Sequence, residues 1–541
     1  MVALKNSLLV CLLVGIGTMG LLAILEDSPT EDESTMFRNA GAETEWLPEQ
    51  RVKFDQLRAE RLGASMGSAS GLTVLRRLSL GLTGTVPSLE EIRLFESLPE
   101  EASIGIWASR LMQDRRFASY FAERFARAFV GVENGPFLVF RRRRMLDWLA
   151  DEILQNRPYD QLVRKIITSE GIWTSDPEVN FVTVTVDQNN EEEGPDEVKL
   201  AARVSRAFLG VRLDCVQCHD DMFGDRWKQE DFHQLASFFA GTEMSLTGVR
   251  DKGQPYKFRY KREKEAKIVP SLVPFRRDLF PETGTPRERL AGWVTHPENR
   301  AFANAAVNRV WAILFNRPLT EQVDDIPLDG LLPAEMVFLA DDFIANGFDL
   351  HRLLRLIVSS KAFAAESRDS DKKHENVVEG GSLQGDVFPI THLRPEQIAG
   401  SLIQCSSIKT IDRESHHLKR FIRMIQVGEF VDRFGDFGEE EFRDHGGTIS
   451  QRLLMMNGKL VHERTKEDLV MNASTRLAIL SAGHESAIEN AFLAVLTRRP
   501  SDAERQHFLS ELDGLAKKDR AAFMEDLYWI LINSTEFSWN H

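Results

Sequence analysis

Apolar residues three and four positions apart recur in segment after segment of this chain. A chain so patterned hides its hydrophobic stripes by packing helix against helix. The spacing predicts helices over Pro48–Leu62, Ile104–Gln113, Arg116–Val130, Arg141–Gln155 and Pro158–Ser169. It predicts more over Pro195–Leu209, Gln229–Phe239, Pro286–Thr295, Pro333–Asn346, Leu350–Ser360, Pro395–Cys405, Ser450–Asn457, Ser486–Leu496 and Asp502–Leu512. Over Phe302–Phe315 the stripe is Ala306, Val307, Val310, Trp311 and Leu314. Ser88 followed by Glu91 is a capping box that marks a helix start, and Asn346-Gly347 marks a stop. One segment departs from the pattern: Asn180–Asp187 alternates β-branched residues and reads as a short strand or extended arm. The fold class expected is mainly α.

Length sets the number of cores. With 541 residues, 43% of them hydrophobic, the chain exceeds what one core usually holds, so two helical domains are expected. Ahead of them, Ser7–Leu25 carries no charge, and as a helix it would span about 28 Å, enough to cross a bilayer. Lys5 precedes it, while Glu26, Asp27, Glu31, Asp32 and Glu33 follow, a bias that leaves the N-terminus inside and the bulk outside. An uncleaved anchor is the leading reading and a cleaved signal peptide its competitor, since no small-x-small cleavage site stands out. The division expected is therefore an anchor or signal over 1–25, a polar tether over 26–71, a domain over 72–250, a basic, proline-containing linker over 251–285 and a second domain over 286–541. Arg368–Gly385 reads as a polar surface loop, and no fixed-period repeat is present.

The formal charge of −15 disfavours nucleic acid as a partner. Four cysteines are too few for a disulfide scaffold; Cys11 lies in the apolar leader, and Cys405 has no neighbour in sequence. Cys215 and Cys218, in the run Cys215-Val216-Gln217-Cys218-His219, are the pair that invites a shared role. This CxxCH spacing lets two thiols form thioethers to a haem while His219 binds its iron. The same residues suit a zinc or iron site made of Cys215, Cys218 and His219, or a reducible thiol pair. Around them, Leu213, Met222, Phe223 and Trp227 are candidates to wall a macrocycle, and Arg212, Arg226 and Lys228 to pair with its propionates. Candidates for a sixth iron ligand are Met222, His233, His296, His445, Met455 and His541.

Other clusters have a structural reading beside the chemical one. The Arg141–Arg144 run could grip a sulfated or carboxylated glycan, but on a helix it spreads around the faces and reads as ion-paired. Asp324-Asp325 reads as a turn, Asn308-Arg309 with Trp311 as interhelical bonding and core, and His416, His417 and His445 as solvated loop residues. No HExxH or P-loop is present, so metalloprotease and nucleotidase chemistry lack their usual support.

Several of these segments resemble a pair of bacterial domains of unknown function found mainly in planctomycetes, a cytochrome-like PSCyt-type domain followed by a PSD-type domain. The first resemblance rests on Arg76-Arg77-Leu78 through Pro87, on Arg157-Pro158-Tyr159-Asp160, and on Phe208-Leu209-Gly210 through CxxCH to Phe232. The second rests on Pro297-Glu298-Asn299, Val307-Asn308-Arg309-Val310-Trp311, Asp324-Asp325, Arg394-Pro395-Glu396-Gln397 and the closing Leu531–Phe537. The resemblance departs at Asp221, where histidine is usual, at Met222, where proline is usual, and at an inserted Gly224. It implies an extracytoplasmic location and a c-type haem, and supplies no reaction. The expectation is a membrane-anchored protein at the extracytoplasmic face, with haem c at Cys215, Cys218 and His219, serving electron transfer with a redox partner protein. The alternative is a surface scaffold that binds polysaccharide or protein and holds a structural zinc or iron.

Overall fold

The computed structural model describes residues 48–541, apart from 63–66, 101, 133–134, 137–138, 187–193, 222–225, 246, 261–262, 368–386, 412–416, 437, 439–441, 443–446, 470–471 and 516–518. The chain is mainly α-helical, as its periodicity requires. Among the described residues, β structure is confined to three two-stranded antiparallel ribbons: Thr242–Ser245 with Gly248–Asp251, Lys257–Phe258 with Lys267–Ile268, and Thr391–His392 with Trp539–Asn540. The apolar segment Ser7–Leu25 and the Arg368–Gly385 loop lie outside the described residues, as do Met222, His416 and His445. Among those described, no helix is long and apolar enough to cross a membrane.

The signals for helix ends act as expected. Ser88 accepts from Glu91 N at 3.0 Å while the Glu91 carboxylate accepts from Ser88 N at 2.8 Å, opening the helix Leu89–Glu96. The reading of Asn180–Asp187 as a strand is wrong over its described part: a 3-10 turn over Pro177–Val179 runs into a short helix over Asn180–Thr183. Successive residues Phe181, Val182, Thr183 and Thr185 are all buried, so no solvent face exists for alternation to mark. The Asn180 amide fixes the turn, donating to the carbonyls of Trp173 and Pro177 and accepting from Arg141 N. His417 is likewise not a loop residue; it begins the helix His417–Phe434.

One apolar cluster runs from Phe54 to Phe537 and takes in both halves of the chain. Rings meet across the halves, Tyr159 stacking on Phe302 at 5.4 Å and Phe54 tilted against Trp311 at 6.4 Å. Gly81 lets the helix Gly71–Thr83 lie close on the helix Arg300–Phe315, since a Cβ there would stand 3.2 Å from Leu314 Cδ2. Arginines also cross between the halves. Arg58 reaches the buried Glu335, Arg124 meets Glu396 at 2.5 Å, and Arg287 sits on Asp251 at 2.9 Å while donating to the carbonyls of Ile167 and Ser169. The described residues between Lys252 and Pro281 form a folded strap, with Tyr256 and Phe258 laid against His233.

Candidate functional site

The path to the cysteines starts on the helix Glu197–Arg203, which continues into one π turn over Val204–Phe208. Gly210 follows at φ +63°, a left-handed conformation, and a Cβ there would come within 2.7 Å of Ile326 Cδ1. That close approach allows Ile326 N to donate to Gly210 O at 2.8 Å. Arg212 then donates twice to Asp324 Oδ1, at 3.1 and 2.7 Å. Asp324 is thus a fastening between the halves, and Arg212, named above as a propionate partner, is already held by a carboxylate.

Cys215 lies on a 3-10 turn over Leu213–Val216 whose Leu213 and Val216 are buried. Leu213 therefore belongs to the core and does not wall an open face. Cys215, Cys218 and His219 are all exposed, both thiols free. Partial desolvation, with the Asp214 carboxylate next, holds the Cys215 thiol above its ordinary pKa. This disfavours the thiolate a fast thiol-disulfide switch would need at neutral pH.

A single tautomer follows for His219. Its Nδ1 lies 2.8 Å from the Asp220 carbonyl oxygen, which can only accept, so in the neutral ring Nδ1 carries the proton and Nε2 the lone pair. That is the arrangement a metal-ligating imidazole needs. Two exposed, free thiols and an imidazole nitrogen are the donor types that a c-type haem would use. In contrast, no three His, Cys, Asp or Glu side chains among the described residues are grouped to hold a metal ion. A three-ligand zinc or iron cage at Cys215, Cys218 and His219 is not preassembled.

The turn is held from behind. The Gln217 carbonyl accepts from Gln229 Nε2 at 2.9 Å and from His233 Nε2 at 3.1 Å, and Asp220 Oδ1 accepts from Gln229 N at 2.8 Å. His233 Nε2 is therefore the donor, and its Nδ1 accepts from the Tyr256 hydroxyl at 3.0 Å. Phe258 stacks on the same ring with centroids 3.4 Å apart. His233 is 1% exposed, and burial lowers its pKa, as suits a neutral ring. With both nitrogens engaged, His233 is a positioning residue and not a sixth ligand. Met455 is buried within the core. Trp227 is half-buried, with the Arg226 guanidinium 5.2 Å from its ring centroid. The backbone N–H of Asp221, which stands where histidine is usual, donates to Trp227 O at 2.9 Å.

The sequence reading did not pick out Lys199, Arg203 and Arg206, spaced at i, i+4 and i+7 along one helix face. That stripe borders a pocket of about 230 Å³ beside the cysteine turn, with Asp214 in its wall. Arg309, buried as expected, also lines the same pocket, while its neighbour Asn308 binds Thr320 and Leu319 N. The Arg141–Arg144 run is partly ion-paired as expected, Arg142 bonding to Glu123 and to Gly131 O.

Two family models match in series. Residues 52–244 match PSCyt2, a protein of unknown function (DUF1549), and residues 286–512 match PSD1, a protein of unknown function (DUF1553). The chain is a PSCyt2 domain followed by a PSD1 domain. The CxxCH turn falls in the PSCyt2 segment, and Asp324, which anchors its approach, falls in the PSD1 segment. No curated protein and no solved structure matches the chain.

Proposed function

We propose that this PSCyt2–PSD1 chain is an exported, membrane-anchored c-type-haem-like protein that passes electrons at the exposed Cys215–His219 turn. The observation that carries the reading is the His219 tautomer: Nδ1 is committed to the Asp220 carbonyl, leaving Nε2 for iron, two exposed thiols away from any competing bond. Cys215 and Cys218 would hold the porphyrin edge, and the bound haem would supply one-electron chemistry. The chain's own part is positional: Gln229 and His233 hold the Gln217 carbonyl, which lies on the turn between the two cysteines. Exposure of the turn suits a redox partner protein that docks directly over it. The run of uncharged residues over Ser7–Leu25 supports export, which c-type attachment requires in bacteria.

The test is a pyridine haemochrome spectrum on the chain expressed with c-type maturation machinery, alongside haem staining after denaturing electrophoresis. The reading expects a covalent haem that Cys215→Ser with Cys218→Ser abolishes. A polypeptide with the mass of its amino acids alone, or one holding stoichiometric zinc without a Soret band, overturns it in favour of a surface scaffold.

A further inference from the structure

We infer that the pocket beside the cysteine turn is a binding site for a small oxyanion, the phosphate- or sulfate-sized end of a ligand, with Arg309 as its central guanidinium. The pocket is built from both halves: Arg127, Lys199, Arg203 and Arg206 come from the PSCyt2 segment, Arg309 from the PSD1 segment. Its volume of about 230 Å³ equals roughly seven or eight waters, room for a tetrahedral anion with a short substituent.

The charges around it are not equal in standing. Arg206 pairs with Asp214, Asp324 is held by Arg212, Arg127 is matched by Asp436 and Glu123, and Lys199 faces Asp196 at 3.6 Å. Arg309 is 7% exposed, and among the described residues its Nε finds no hydrogen-bond partner and no carboxylate forms an ion pair with it. A buried guanidinium without a counter-charge is costly, and the open volume in front of it is where a counter-charge fits. A forked donor flanked by further cations suits a bidentate oxyanion. A second feature marks the same wall: Arg206 and Ala207 lie on the π turn, a local widening of the helix often found at ligand sites. In a chain of net charge −15 this is a local reversal of sign, which concentrates anions there. The inference stands whether or not haem is attached at the neighbouring turn.

Calorimetric titration of the full chain at low ionic strength with inorganic phosphate, sulfate and acetate tests it. Saturable 1:1 binding of phosphate or sulfate is expected with Kd below ~10 mM, weakening as salt rises. Arg309→Met is expected to weaken it about tenfold or more, and Arg309→Lys by less, because lysine keeps the charge and loses the fork. Lys199→Glu, at an exposed rim position, keeps the fold and is expected to weaken binding severalfold. Absence of saturable binding by the wild-type chain, or phosphate affinity that neither Arg309→Met nor Lys199→Glu changes, overturns the site. Acetate binding as tight as phosphate assigns a carboxylate ligand and overturns the tetrahedral assignment.

Discussion

Two residues fix how the approach to Cys215 behaves. Gly210 combines a positive φ with a Cβ direction aimed at Ile326 and Ala305, so Gly210→Ala pays both backbone strain and a clash. We expect a loss of about 1–3 kcal/mol in urea unfolding, and a Cys215 thiol that reacts faster as Gly210 O and Ile326 N part. His233 sets a pH dependence together with His351, which bonds to Ile153 O from within the core. Burial lowers the pKa of both, so the native rings stay neutral where the unfolded rings, near 6.5, take up protons. Below that value the unfolded state binds more protons than the native one, and stability falls as pH falls. Glu504, held at about 2 chiefly by its hydrogen bonds to Arg498, adds stability that is present above its unfolded pKa and lost as pH drops through the acid range. Thermal unfolding midpoints should therefore decline from pH 7.5 to 5, and His351→Gln should flatten part of that slope. A level profile would refute the assignment.

Among the elements, the helix Gly71–Thr83 does more than its length suggests. Its Arg77 is fully buried and donates to the carbonyls of His541, Phe363 and Ala365 while lying 3.8 Å from the Phe388 ring centroid. Arg76 beside it donates to the carbonyls of Val495 and Phe537. Removing the Arg77 fork strands three acceptors, so Arg77→Leu should cost about 2–4 kcal/mol, and Arg77→Lys should recover less than half of that. Denaturant titration of the two variants checks this. The helix illustrates what sequence could and could not convey. A capped helix such as Leu89–Glu96, with Leu89, Ile92 and Phe95 buried, was legible, because cap chemistry and one buried face are local properties. Arg520–Ile532 was not: Trp529 and Ile530 are exposed while Met524, Leu527 and Tyr528 are buried, so its apolar residues mark no single face. The buried arginine pair looks polar in sequence, and its acceptors lie hundreds of positions away. For the same reason Cys215, Cys218 and His219 were found as a motif, whereas Arg309 was not. Spacing shows who shares a turn, while a pocket between remote helices exists only after folding.

At the scale of the molecule, the two matched segments share one interior. The apolar cluster has no break between them, Trp311 and Phe302 of the second half packing on Phe54 and Tyr159 of the first. The buried charges enforce this mutual dependence. Arg58 without Glu335, Arg124 without Glu396, or Arg287 without Asp251 would be a cation left in an apolar interior, a far larger penalty than a lost surface pair. A chain cut between Glu282 and Pro286 would expose the faces of Gly71–Thr83 and Arg300–Phe315 that meet at Gly81 and Leu314. We therefore expect fragments 48–285 and 286–541, expressed singly, to lack near-ultraviolet circular dichroism fine structure and to bind ANS, and co-expression to restore both signals. The uncut chain should unfold in one calorimetric transition, since neither half can lose its core alone. Two separated transitions, or a fragment with native-like dispersion on its own, would mean that the cross-half arginine pairs contribute little. The oxyanion pocket, whose Arg309 and Lys199 come from opposite halves, should bind phosphate only when both fragments are present.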